Sequence, residues 1–148
     1  MSHTMFAARR VLPLLTLTLF ACSDIDGPRS VRRPAVLAIK GSPPYVITPA
    51  AVRVGEPVTV VAISFSSGCT KRGETEVVVS GAVAEVRPYR YDLVDLPPNM
   101  ACISILRMDS NVAVVTFSIP GTDTVRVIGV RQPGEVPYLV ERQVTVNP

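Results

Sequence analysis

From residue 35 onward the chain consists of short, valine-rich apolar runs that proline and glycine interrupt. Branched residues at alternate positions favour strands, and no run between these breakers is long enough to show helical spacing. The clearest alternation precedes Pro120, and one face of that run consists of Ala113, Val115, Phe117 and Ile119. We predict strands at residues 36–39, 45–48, 58–65, 75–86 with a bend at Gly81, 102–106, 112–119, 124–130 and 138–146.

Seven or eight short strands separated by turns indicate an all-β, antiparallel sandwich, which we assign to residues 35–148. Two segments are similar to bacterial immunoglobulin-like domains. VGEPVTV at residues 54–60 resembles the start of their second strand, and FSIPGTDTVRV at residues 117–127 resembles the hairpin before their last strand. The resemblance spans residues 49–148 and implies an immunoglobulin-like sandwich.

The chain also departs from antibody-type domains in ways that concern the core. It contains no tryptophan, and Met100 stands two residues before Cys102, where a tyrosine corner requires tyrosine. Cys69 lies in the polar segment SSGCTKRG at residues 66–73. We therefore expect any disulfide to join a loop to the start of a strand, and not to cross the two sheets as in antibodies.

The N-terminal segment has the parts of a secretory signal peptide. Arg9 and Arg10 precede the apolar residues 11–20, a run too short for a membrane span of about 20 residues. LFAC at residues 19–22 resembles the lipobox of bacterial lipoproteins. This resemblance implies removal of residues 1–21, a diacylglyceryl group on the Cys22 sulfur and acylation of the new amine. The alternative is an ordinary signal peptide followed by an incidental cysteine.

Residues 22–34 are predicted to form the lipidated cysteine and a flexible tether, because SDIDGPRSVRRP is polar and aperiodic. In the lipoprotein family, an aspartate after the lipidated cysteine commonly retains the protein at the inner membrane. Ser23 occupies that position here. The resemblance therefore implies the outer membrane if the host has two membranes.

Cys69 and Cys102 are the remaining cysteines. In an exported domain such a pair is usually a disulfide, and we predict one with Cα atoms within about 7 Å. A metal pair is the alternative. It is disfavoured because His3, the one histidine, lies in the signal peptide and the chain has no C-x-x-C motif.

The net charge of +3 does not indicate a nucleic-acid partner. Past Pro34 the chain has ten basic and ten acidic residues, so the predicted domain is neutral. Nucleic-acid binding requires a strongly basic face. We expect the partners to be a membrane, through Cys22, and a protein or glycan of the envelope.

The sequence contains no recognisable catalytic or metal-binding motif. Ser64, Ser66 and Ser67 lack a histidine base, and the acid pairs Glu74 with Glu76 and Asp92 with Asp95 are typical of solvated edges. Calcium is an alternative, because sandwiches can hold it between loops. Its candidate ligands are Asp92, Asp95, Asn99, Asp109 and Asn111.

Tyr89 and Tyr91 form the remaining cluster of interest, since alternation places both rings on one face if the strand continues past Pro88. If these rings are exposed, they can stack on sugars. If they are packed under a loop, their role is structural. We predict a lipid-anchored envelope protein with a binding or scaffolding domain, no catalytic residues and no cofactor. The alternatives are an envelope hydrolase or a calcium-binding module.

Overall fold

The computed structural model describes residues 28–148. Within this range the chain forms strands and turns and no helix. The ten strands are β1 Arg29–Pro34, β2 Val36–Ala38, β3 Val46–Ile47, β4 Ala51–Arg53, β5 Pro57–Ser66, β6 Thr70–Ser80, β7 Val83–Val94, β8 Arg107–Thr116, β9 Gly121–Arg131 and β10 Val136–Asn147. The prediction of an all-β fold is therefore confirmed.

All ten strands belong to one sheet that curls into two layers. The first layer contains β6, β7, β9, β10 and β4 in that order, with β1 beside the second half of β7. The second layer contains β3, β5 and β8. The short strand β2 links the layers, because Val36 pairs with Phe65 of β5 and with Val130 of β9. The fold is sandwich-like, with the core between the layers.

The core is made largely of valine from strands of both layers. β5 and β8 contribute inward-facing side chains that contact those of β7, β9 and β10, and Phe117, which follows β8, is the largest of them. The main members are Val58, Val60, Ala113, Val115, Phe117, Val86, Val125, Val127, Val140, Val144 and Val146. Branched side chains suit strands because they pack closely on a pleated surface.

Several sequence predictions need correction. The sheet is mixed and not antiparallel throughout, since β9 pairs in parallel with β7 and β10 pairs in parallel with β4. Residues 29–34, which the sequence predicts as part of the tether, form β1, and this strand pairs along its length with β7. Residues 102–106 form no strand and belong to an exposed loop. Ile119 does not continue the buried face of β8, since the strand ends at Thr116 and Ile119 is exposed. Gly81 is the turn between β6 and β7, and its φ of 58° suits glycine.

The curled sheet remains open along one side, where the edge strands β6 and β8 face each other. Two arginine side chains cross this opening. Arg72 Nη1 donates a hydrogen bond to the Ser110 carbonyl at 2.8 Å. Arg107 Nη2 donates to the Thr70 carbonyl at 2.8 Å. Side chains thus connect two edges that backbone pairing leaves unjoined.

Candidate functional site

One end of the domain is organised around the bond between Cys69 and Cys102. The predicted disulfide is confirmed, with Cα atoms 5.2 Å apart. Cys69 lies in the turn directly before β6, and Cys102 lies in the loop between β7 and β8, not at the start of a strand. We call this end, with the turn at residues 67–69 and the loop at residues 95–106, the disulfide end.

Gly68 explains how closely the turn and the loop approach each other. Its amide donates a hydrogen bond to the Ile103 carbonyl at 3.2 Å. A Cβ atom at this position would lie 2.6 Å from the same oxygen, which is closer than van der Waals contact allows. Glycine is therefore required beside Cys69, and the sequence alone does not reveal this requirement.

A cleft of about 610 Å³ opens at the disulfide end. Its apolar walls come from both layers and from the loop, namely Val36, Ile39, Phe65, Leu93, Ile105 and Leu106. Polar groups line the remainder, namely Ser66, Ser67, Thr70, Arg90, Asp92, Ser104 and Gln132. A largely apolar cavity with a few polar groups that converge on it is the usual form of a small-molecule site.

The polar side of the cleft is an ionic network. Arg90 is buried, and its guanidinium donates to Asp92 Oδ2 at 3.1 Å and to Glu135. Arg33 donates to Glu135 Oε2 at 3.1 Å, with its Nε 3.6 Å from Asp92 Oδ2. Thr70 Oγ1 donates to the other oxygen of Asp92 at 3.0 Å. Two cations thus balance two anions.

This balance matters because a buried charge is costly without a partner. Removing Asp92 or Glu135 would leave Arg90 with one counter-ion in place of two. The network therefore fixes the wall of the cleft, so the charged groups there are already engaged. Apolar surface, together with the Ser104 hydroxyl group and the Gln132 side-chain amide, is what the cleft offers to a ligand.

Sequence reasoning did not identify Arg90 and Glu135, although one signal for Arg90 was present. On β7 the inward positions alternate through Ala84, Val86 and Pro88, and the next position in that series is Arg90. A charged residue in a core-facing register requires partners. Glu135 lies in the turn between β9 and β10. Charged residues are common in turns, so the sequence gives no such signal for Glu135.

Tyr89 and Tyr91 do lie on one face, since β7 continues past Pro88. Their hydroxyl groups donate to Glu76 Oε2 at 3.1 Å and to Glu74 Oε2 at 3.0 Å. The Arg32 guanidinium forms ion pairs with both glutamates and lies 3.3 Å from the centre of the Tyr89 ring. One face of Tyr89 is therefore covered, and both hydroxyl groups are engaged.

The contacts of this surface cluster perturb its titrating groups. The pKa of Glu74 is lowered, first by a hydrogen bond from its own backbone amide and then by the one from Arg32. The pKa of Tyr91 is raised, chiefly because its hydroxyl group donates to Glu74. Desolvation lowers the pKa of Arg32, but hydrogen bonds to Glu76 and Glu74 outweigh it, so the net pKa is raised. The charge of Arg32 is thus paired with the carboxylates of Glu74 and Glu76.

The five candidate calcium ligands lie in separate places. Asp92 belongs to the ionic network, Asp95 lies 3.5 Å from Arg29, and Asn99 is in the exposed loop. Asp109 and Asn111 are on β8, where Asn111 Nδ2 donates to the Ala62 carbonyl at 3.0 Å. Across residues 28–148 no three side chains of the acid, histidine or cysteine type are grouped as metal ligands would be.

The candidate nucleophiles are engaged in structural hydrogen bonds. Ser64 Oγ accepts from Asn111 Nδ2 at 2.9 Å. Ser66 Oγ accepts from Arg107 at 3.4 Å, and the hydroxyl groups of Ser67 and Thr70 are 3.2 Å apart. Cys22 and His3 lie outside the described residues. Residues 28–148 include no helix of sufficient length and apolarity to cross a bilayer.

The chain was compared with known proteins by family, by sequence and by structure. No protein-family model, curated protein or solved structure matches it.

Proposed function

We propose that this chain is a lipid-anchored protein of the bacterial envelope whose immunoglobulin-like β-domain acts as a binding or scaffolding module. The observation that carries this proposal is the Cys69–Cys102 disulfide. The chain has three cysteines, so this bond leaves Cys22 as the remaining thiol. Disulfides in small domains are typical of exported proteins. An exported chain with a cysteine directly after Leu19, Phe20 and Ala21 fits lipidation at Cys22.

Two further observations support the binding role and the immunoglobulin-like fold. The cleft has the size and the mixture of apolar and polar groups that small-molecule sites have. The segments that resemble immunoglobulin-like domains each lead from a turn into a long strand, although β8 and β9 do not pair as a hairpin. Residues 54–60 form the turn at Gly55 and the start of β5, and Pro120 and Gly121 lead into β9. We propose a protein or glycan of the envelope as the partner, and the outer membrane as the location in a host with two membranes.

Replacement of Cys22 tests the anchor. We expect wild-type protein to enter the detergent phase and Cys22→Ser to remain in the aqueous phase with uncleaved precursor, because buried acyl chains contribute about 0.8 kcal/mol per methylene. The double variant Cys69→Ser with Cys102→Ser is the matched control, since it keeps Cys22 and should enter the detergent phase. Mass spectrometry of the mature N-terminus identifies the lipid. Equal partitioning of wild type and Cys22→Ser would refute the anchor.

A further inference from the structure

The loop between β7 and β8 presents apolar side chains to solvent. Residues 96–106, LPPNMACISIL, contain no charged residue. Ile103 and Leu106 are 67% and 65% exposed, and Met100 and Ile105 are also exposed. The Cys69–Cys102 disulfide and the hydrogen bond from the Gly68 amide to the Ile103 carbonyl hold the loop in this position. Exposed apolar surface of this kind marks an interaction site.

The part of the chain outside the structure ends beside this loop. Arg29 opens β1 and pairs with Val94, the last residue of β7, and its guanidinium lies 3.5 Å from Asp95. Cys22 precedes Arg29 by seven residues, which reach about 25 Å when fully extended. The twelve residues of β7 extend over about 40 Å toward the other end of the domain. The disulfide end is therefore the part of the domain held closest to the anchoring residue.

The charges around the loop also suit a phospholipid surface. Arg29 and Arg107 flank the uncharged segment on its two sides, and both are exposed. Lys71 is exposed next to the turn that carries Cys69. Asp95, which follows β7 at this border, is paired with Arg29, and Asp92 is paired with Arg90. Cationic side chains around an apolar patch are attracted to anionic headgroups while the apolar residues enter the interface.

We propose that the loop at residues 96–106 rests on the phospholipid surface, with Ile103, Ile105 and Leu106 inserted at the boundary between headgroups and acyl chains. The inference rests on the proposed lipid anchor at Cys22, and it adds a second contact that orients the domain. Because Ile105 and Leu106 also line the cleft, the cleft then opens toward the headgroups.

Tryptophan fluorescence tests this contact, because the chain has no tryptophan of its own. Full-length lipoprotein that carries Leu106→Trp is reconstituted into phosphatidylethanolamine and phosphatidylglycerol vesicles, with or without bromine on the acyl chains. We expect emission at shorter wavelength than in the detergent-free Cys22→Ser form of the same variant, and loss of most of the emission in brominated vesicles.

Val78→Trp is the matched control. Val78 is also exposed, but it lies eight residues along β6 from Thr70, or about 26 Å from the disulfide end. Its emission should be the same in both kinds of vesicle. Equal quenching at both positions, or none at position 106, would overturn the inference. A shift to shorter wavelength at position 106 without quenching would indicate a protein contact and would overturn it as well.

Hydrogen exchange of the native sequence provides a second readout that needs no new aromatic side chain. On vesicles, amides of residues 99–106 should exchange several-fold more slowly than in the soluble Cys22→Ser protein, whereas the turn at Gly81 should not change. Flotation with vesicles separates the two claims. A protein that floats with an unprotected loop retains the anchor and refutes the inference, and a protein without lipid at Cys22 refutes both.

Discussion

Between the two layers of the curled sheet, valine side chains from six strands contact one another and exclude water. At the disulfide end, by contrast, a turn and a loop are joined by one covalent bond, and an ionic network of four side chains holds Arg90 and Asp92 in the wall of a cleft. The central core derives its stability from apolar area removed from water, which is not directional. The disulfide end depends on particular pairs of atoms.

The two regions differ in how well they can carry function. A valine core tolerates exchange of one apolar residue for another of similar volume. The disulfide end has less apolar burial, and its exposed loop and cleft remain accessible to partners. A disulfide and ion pairs can hold a surface in place while that surface stays accessible to solvent. Apolar side chains of a core cannot do this, because they contribute stability only when they are removed from water.

The largest effect is expected in the central core. Phe117→Ala should lower the free energy of unfolding by about 3–5 kcal/mol, because Phe117 is buried and the substitution leaves a cavity. Its neighbour Thr116 is exposed, and Thr116→Ala should cost less than about 1 kcal/mol. Urea midpoints of the two variants measure the difference. Equal costs would show that burial does not dominate in the core.

Loss of the disulfide should have the next largest effect on the free energy of unfolding. It should affect the disulfide end and leave the strands of the central core formed. The cysteines are 33 residues apart, and closing a loop of that length is worth roughly 3.5–4 kcal/mol in the chain-entropy account. Reduction should lower stability by up to this amount while the far-ultraviolet circular dichroism of the strands persists. Peptide mapping without reductant detects the linked cysteines. Loss of all strand signal on reduction would mean that the core depends on the disulfide end.

The smallest effect is expected at the exposed cluster of Arg32, Glu74 and Tyr91, where solvent screens the charges. The pKa of Glu74 in the folded chain lies below its ordinary value of 4.5. A lowered pKa stabilises the fold above the ordinary value, and the contribution is lost as pH falls through the folded value. Glu74→Gln should therefore be slightly less stable than wild type at pH 7, and the difference should disappear in acid.

Thermal midpoints of the two proteins between pH 7 and pH 3 measure this difference. Tyr91→Phe removes the hydroxyl group that donates to Glu74 and serves as the companion variant. Combining both substitutions should cost less than the sum of the two, since both remove the same hydrogen bond. A difference between Glu74→Gln and wild type that is constant over this range would contradict the assigned role of the carboxylate.

The alternation of apolar and polar residues was sufficient to predict the all-β fold and much of the core. Ala113, Val115, Phe117, Val125 and Val127 face inward as the sequence predicts. The disulfide was also predictable, because Cys69 and Cys102 are the two cysteines that remain once Cys22 is assigned to the predicted lipidation site. Local backbone preference and side-chain direction follow from residue type, and they need no knowledge of distant parts of the chain.

Tertiary structure alone decided that Arg29–Pro34 is a strand and that a cleft exists. Arg32 bonds to Glu74, which is 42 residues away, and Arg33 bonds to Glu135, which is 102 residues away. A polar segment without a hydrophobic pattern becomes β1 because those partners are brought beside it. The exposure of Ile103 has a similar cause, since the disulfide and Gly68 fix the loop outside the sheet. Contacts between residues far apart in sequence depend on how the chain folds, and no local pattern encodes them.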